Sequence, residues 1–304
     1  MAPLFDAYII VDWSAAARPV SGPNSIWIGV RTRTADGISS FTSENPHTRL
    51  AARRRVLALA EDCISRGQRV LIGFDFAMGY PAGTAEAIGL DVSAAPPWRA
   101  MHDYLARNIA EREDNSNTRF DLAAELNAAM TGRAHPFWGA PPSKTSETLS
   151  ARKGDFSSPD SLPEHRLAES WIRSTFDAYP KSVWQLAGAG AVGSQSLLGI
   201  ATVTKLREQL PGARLWPFET GLSELTGTAL ENTSCILAEV YPSTVPVAPK
   251  PGEILDQAQV RTLSERLESL DSAGILGGAF DSPDSISGRE KHRIIAEEGW
   301  ILAK

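Results

Sequence analysis

Cysteine is almost missing: Cys63 and Cys235 stand far apart in 304 residues and fit no zinc or redox spacing. A disulfide framework and a thiolate metal site are therefore excluded, and two buried free thiols of a cytosolic protein are expected. Long hydrophobic runs are missing too. The most apolar long window, residues 186–203, is broken by glycines and by Ser194, Gln195 and Ser196, so it is not a membrane span. The N-terminus has no basic segment and carries Asp6, so no signal peptide is expected. Together these features predict a soluble, cytoplasmic protein with no membrane partner. Positive charge is not in excess either. With 30 Lys+Arg against 36 Asp+Glu, the net charge of −6 argues against a strongly basic surface held permanently on duplex nucleic acid. A local basic groove remains compatible with it. Histidine offers little: His47, His102, His135, His165 and His292 show no metal-ligand spacing, and no serine sits in a nucleophile-elbow context.

What the chain does have is apolar runs that end on acids. Tyr8-Ile9-Ile10-Val11 reads as a buried strand running straight into Asp12, and a carboxylate placed there needs a cation or a set of donors. Turn chemistry follows in residues 14–23, and residues 25–30 read as a second strand. Asp36-Gly37 then supplies a hairpin signal before a weaker third strand over 38–42. Residues 47–66 read as a helix with Leu50, Val56, Leu57, Leu59 and Ala60 on one face. Arg49, Arg53, Arg54 and Arg55 fall on the other, where a solvated face is the ordinary reading of such a cluster and phosphate binding the rarer one. Residues 69–74 repeat the opening theme, an apolar strand running into Asp75.

Residues 83–182 lack strong strand signals and read as a helical insertion or cap. Helices are expected near 99–112, from Thr118 to Met130, and from Ser161 through Phe176. Between them lie a stiff aromatic loop over 135–142 and a Ser/Gly/Pro-rich stretch carrying Lys144, Arg152 and Lys153. Beyond it, Gly188-Ala189-Gly190-Ala191-Val192-Gly193 matches the dinucleotide-binding pattern, with a possible strand before it (182–186) and a helix after it (195–210). Three features speak against that reading. The preceding strand is short and contains Gln185, Glu219 comes later than the ribose-binding acid should, and no run of βαβ units follows. The plainer reading is that small residues allow close helix packing or expose backbone N–H groups to an anion.

The last third supplies two more acids. Residues 234–240 form a third apolar strand carrying Glu239 near its end, with Glu219 as a rival at the end of the candidate strand 213–218. Residues 256–280 read as one long helix with Val260, Leu263, Leu267 and Leu270 as its apolar stripe. Asp271 projects from it, with Glu268 and Asp281 as rivals, and residues 298–302 look like a short closing strand. If the strands share one sheet, Asp12, Asp75, Glu239 and Asp271 converge at one edge. Clustered hard oxygen ligands suit Mg²⁺ or Mn²⁺, and such ions stabilise attacking and leaving oxygens in phosphodiester cleavage.

Val11-Asp12-Trp13-Ser14-Ala15, Gly73-Phe74-Asp75-Phe76-Ala77-Met78-Gly79-Tyr80-Pro81, Glu239-Val240-Tyr241-Pro242, Leu270-Asp271-Ser272-Ala273 and the terminal Glu297-Glu298-Gly299-Trp300-Ile301 carry a resemblance. They resemble a large uncharacterised prokaryotic family usually described as a predicted RNase H-like nuclease. The resemblance implies an α/β fold of RNase H-like type, with a mixed five-stranded sheet flanked by helices, in one domain over the whole chain. It further implies that Asp12, Asp75, Glu239 and Asp271 are the metal ligands and catalytic acids of a nuclease or phosphodiesterase using Mg²⁺ or Mn²⁺. Ser14, Lys144, Arg152 and Lys153 are the candidate substrate contacts, with nucleic acid or a nucleotide as the expected partner. Three alternatives stay open: an actin-like or sugar-kinase enzyme binding ATP, an NAD(P)-binding enzyme using the glycine loop, and a non-catalytic binding protein on a degenerate nuclease fold.

Overall fold

The computed structural model describes residues 2–34, 37–158 and 161–303. Asp36, the first half of the expected hairpin signal, lies outside them. The three apolar runs that lead to acids become β1 (Ala7–Asp12), β4 (Val70–Phe74) and β6 (Cys235–Val240), paired parallel in the order β1-β4-β6. Almost every residue in them is buried, as parallel strands covered on both faces require. On the other side of β1, β2 (Trp27–Arg33) and β3 (Ser39–Glu44) complete an antiparallel meander.

The sheet has seven strands where five were expected. The two extra ones, β5 (Ala213–Leu215) and β7 (Ile301–Leu302), are short and share one edge of β6, the first along its start and the second along its end. Both fall inside segments that read as strands in the sequence. The result is an α/β fold with a mixed sheet.

The pleat divides the sheet residues between two cores. Ile9, Val11, Phe74 and Leu237 pack with α1 (Arg49–Ser65), while Tyr8, Ile10, Leu71 and Val240 form the opposite core. Residues 83–182 hold α2 (Thr84–Ala87), α3 (Pro97–Asn108), α4 (Arg119–Thr131) and α5 (Leu167–Phe176). Helix α6 (Gly193–Gln209) joins α1 over the first core and carries a third core with α3 and α4 on its outer side. That double burial is why the 186–203 window is so apolar without being a membrane span. A Cβ at Gly199 would lie 2.3 Å from the Phe76 ring, so only glycine lets α6 approach. Helix α7 (Leu255–Ser272) covers the second core through Val260, Leu263 and Leu267, and α8 (Gly288–Arg293) precedes the last strand. No helix among the described residues is long and apolar enough to cross a membrane.

Four local expectations change. Arg49 is not on a solvated face: it is fully buried, pairs with Glu111, and donates to the carbonyls of Ser14, Ala16 and Asn115. It thereby ties the exit of β1 to the loop before α4. Helix α5 starts at Leu167 rather than Ser161, because Glu169 accepts from Arg166 N and Glu298 accepts from Leu167 N there. The long C-terminal helix stops at Ser272, and Gly274, at φ +69°, leaves the helical conformation. Gly277 then passes so close to the Leu225 carbonyl that a Cβ would sit 2.3 Å from it. Finally, residues 182–186 form no strand; Gln185 makes only an isolated bridge to Trp138.

The third core also holds a buried histidine at its border. His102 donates from Nε2 to the Met78 carbonyl at 2.7 Å, and burial lowers its pKa to about 4. The folded state therefore binds fewer protons than the unfolded chain between about pH 4 and 6.5. Stability rises with pH across that window and is lost as the pH falls. Urea midpoints should show about 2 kcal/mol less stability from this group at pH 5 than at pH 7. His102→Gln should flatten that slope, and an unchanged slope would refute the assignment.

Candidate functional site

Asp12 is the last residue of β1 and Asp75 the first after β4. Val11 pairs with Phe74, so parallel register sets the two acids side by side at the C-terminal edge of the sheet. Asp75 Oδ1 accepts from Trp13 N at 2.7 Å, which fixes its carboxylate against the start of the next loop. The Asp12 carboxyl lies beside it. Burial pushes Asp12 well above the usual carboxylate range, with the Asp75 charge adding to the effect. Burial likewise lifts Asp75 to about 7, against the pull of Trp13 N–H and of Asp12.

A third acid feels the pair. Asp256, in the first turn of α7, raises both pKa values through its charge, and its Oδ2 accepts from Asn24 N at 2.6 Å. Sequence reading missed Asp256. The available signal was its place in the first turn of the last long helix, directly after the proline-rich crossing that follows β6. Among the described residues, no group of three or more His, Cys, Asp or Glu side chains is placed to hold a metal ion.

Asp75 opens onto a cavity of about 420 Å³, which Glu239 also lines. The two acids do not meet as a pair. Glu239 is in register with Phe74, one residue below Asp75, so the pleat directs it toward the opposite face of the sheet. There it accepts from Met78 N at 3.0 Å and from both Nη atoms of the buried Arg166, at 2.8 and 2.6 Å. Burial raises the Glu239 pKa and Arg166 pulls it back down. Its charge is thus already matched. Nothing in the sequence marked Arg166, whose partner lies 73 positions away.

Asp271 sits at the other end of the sheet. Its carboxylate accepts from Leu4 N at 2.8 Å, Phe5 N at 2.9 Å and the Tyr8 hydroxyl at 2.6 Å. Three donors and nearly complete burial make it an anchor for the strand's beginning, the end of β1 opposite to Asp12. Asp271→Asn should cost about 1–3 kcal/mol in urea denaturation while leaving any cation affinity of the protein unchanged. A loss of cation binding in that variant would return Asp271 to the site. Its rivals are also engaged elsewhere, Glu268 with Arg31 and Arg33 and Asp281 with Lys291, and so is Glu219, the rival of Glu239, with Arg207 and Arg99.

The expected substrate contacts lie outside the cavity lining. Lys144 pairs with Asp121, Lys153 pairs with Glu164 and lies over the Phe156 ring, and Arg152 is exposed. Ser14 serves its own turn, donating to the Asn24 carbonyl at 3.3 Å and accepting from Ala16 N. The cavity wall is instead built by Lys181 and by the glycine loop, through Gly188, Gly190, Ala191 and Val192. With no strand before it, that loop has lost the context that a dinucleotide site requires. Gln195, in the first turn of α6, donates from Nε2 to the Trp13 carbonyl, so the loop's helix is tied to the residue after Asp12. No family model, curated protein or solved structure matches this chain.

Proposed function

We propose that this protein is a metal-dependent phosphodiesterase or nuclease of RNase H-like type, acting at the Asp12–Asp75 edge. The observation that carries the reading is the pair itself: two part-buried carboxyls side by side at the ends of adjacent parallel strands, with the charge of a third acid, Asp256, acting on both. Like charges held this close favour a divalent cation over water. The topology agrees with the RNase H-like reading. A β1–β2–β3 antiparallel meander is extended from β1 by parallel β4 and β6, which brings the two acids to neighbouring strand ends.

The donor set fits Mg²⁺ or Mn²⁺ in character, since Asp12 and Asp75 supply hard anionic oxygens. These two residues would hold the cation, with Asp256 adding negative potential. Glu239 and Asp271 are left out of that set. When bound, such an ion supplies charge stabilisation at a phosphoryl oxygen. The chain's own groups do the positioning. Trp13 N–H orients Asp75, and Arg166 keeps Glu239 from adding a further uncompensated charge to the cavity.

The test is to titrate the purified protein with Mg²⁺ and Mn²⁺ by calorimetry and to assay cleavage of labelled RNA and DNA. Cation-dependent cleavage that disappears in Asp12→Asn is the expected result. Absence of cation binding, or activity that survives that substitution, sinks the reading.

A further inference from the structure

We infer that the cavity takes one nucleotide unit, its base on Tyr179 and its phosphate against Lys181 and the glycine loop. The substrate class is then a free nucleotide or the end of a single strand rather than a duplex. This rests on the phosphodiesterase reading for the chemistry, but the binding site stands on separate residues.

Size comes first. A cavity of about 420 Å³ lies within the range of small-ligand sites and is far too small for a duplex. Its rim carries an unusual residue: Tyr179 is 68% exposed, one of few large hydrophobic side chains on the described surface. Its hydroxyl donates to Asp177 Oδ1 at 3.2 Å, which holds one edge of the ring and leaves the rest open. An aromatic ring held at the mouth of a polar cavity is what base stacking needs, since every base has a π-face.

Charge comes second. The lining includes Asp75, Glu169 and Glu239, and its cations are Arg166 and Lys181. Arg166 is committed to both glutamates. Lys181 has no ion pair or hydrogen bond with any described residue, which makes it the cation available to an incoming anion. It is also placed. Its stem runs along Gly190, where a Cβ would lie 3.7 Å from Lys181 Cγ and 3.9 Å from Cε.

The loop beneath it has backbone in place of bulky side chains at the cavity wall. Gly188 and Gly190 adopt φ of +110° and +70°, a region side chains disfavour, and no side chain caps the N-terminus of α6. Gly188, Gly190, Val192 and Lys181 thus line one side of the cavity beside the first turn of α6, and Asp75 lies at another, while Ala191 N and Gly193 N are taken by the carbonyls of Gly188 and Gln185. Gln195 joins the two walls through the Trp13 carbonyl, so a phosphate on the loop is held at a set position relative to Asp75.

The test measures binding by calorimetry on the full chain with and without Mg²⁺. The probes are AMP, adenosine, inorganic phosphate, a single-stranded thymidylate octamer and a duplex octamer. AMP or the single strand should bind at least tenfold more tightly than adenosine and the duplex. Tyr179→Ala and Lys181→Ala should each weaken that binding about tenfold, and Tyr179→Phe should keep it. Equal affinity for AMP and the octamer identifies a free nucleotide as the ligand, whereas a tighter octamer identifies a strand end. Equal binding of adenosine and AMP, preference for the duplex, no binding of any probe, or indifference of both alanine variants overturns the inference. The two readings fail separately. Nucleotide binding that depends on Tyr179 and Lys181 without any cation binding keeps the subsite and removes the nuclease. Cation-dependent cleavage indifferent to both residues does the reverse.

Discussion

Replacing Arg166 by alanine should destabilise the protein by roughly 3–5 kcal/mol, the cost of leaving buried charges unpaired. The side chain is 1% exposed, and its guanidinium serves three elements at once. Nη1 donates to Glu239 on β6 and to the Glu298 carbonyl, Nη2 to Glu239 and Glu169, and Nε to Glu169 on α5. Removing it leaves two carboxylates in the interior with no cation. Arg166→Lys should recover only part of the loss, because an ammonium cannot donate in a planar fork to both partners. The measurement is urea denaturation of Arg166→Ala, Arg166→Lys and a triple variant, Arg166→Met with Glu169→Gln and Glu239→Gln. If the cost comes from unpaired charge, the triple variant regains most of it. A triple variant as unstable as Arg166→Ala would place the cost in packing instead.

That cluster also explains how residues 83–182 are fastened to the sheet. Glu297 accepts from Gly83 N and Ala85 N, and Glu298 from Ala82 N and Leu167 N, so two acids before the last strand hold the beginning of the segment and the start of α5. Between them, Gly79 passes within reach of the Glu297 and Glu298 carbonyls, where a Cβ would lie 2.4 Å from each. The terminal Glu297-Glu298 motif therefore reads as a structural clasp.

The strands were legible because an apolar run meeting an acid is a local signal. Asp12 and Asp75 could be found that way, and parallel register did the rest. Asp271 looked equivalent in sequence, but its role depends on the amides of Leu4 and Phe5, which no local pattern reports. Glu239 was found as a strand-end acid, yet a one-residue offset in register turned it to the other face. Arg166 and Lys181 carry no motif at all: each matters through partners or walls brought together by the fold. The glycine loop shows the opposite case, a recognisable pattern whose meaning changed once residues 182–186 proved not to be a strand and the loop proved to line the cavity that Asp75 opens onto.

The second large effect is expected at that pair, and it has opposite signs for activity and stability. Asp12→Asn and Asp75→Asn should each lower cation-dependent cleavage by about a thousandfold or more, since a transition-state charge interaction worth about 4 kcal/mol is removed. In cation-free buffer the same variants should be more stable than the wild type at pH 8, by about 1–3 kcal/mol, because a buried like-charge contact is gone. The pH dependence follows from the direction of the shifts. Both carboxyls have folded-state pKa values raised above those of the unfolded chain, Asp75 to about 7. The folded state therefore holds the extra proton, and stability falls as pH rises from about 4 through 7. Asp12→Asn should flatten that decline. Millimolar Mg²⁺ should reverse it in the wild type alone, by binding the folded state. Thermal denaturation of wild type and variants at pH 6 and pH 8, with and without Mg²⁺, reads all of these together. A wild type whose stability is the same at both pH values and indifferent to Mg²⁺ would show that the pair is not a strained cation site, and the nuclease reading would lose its support.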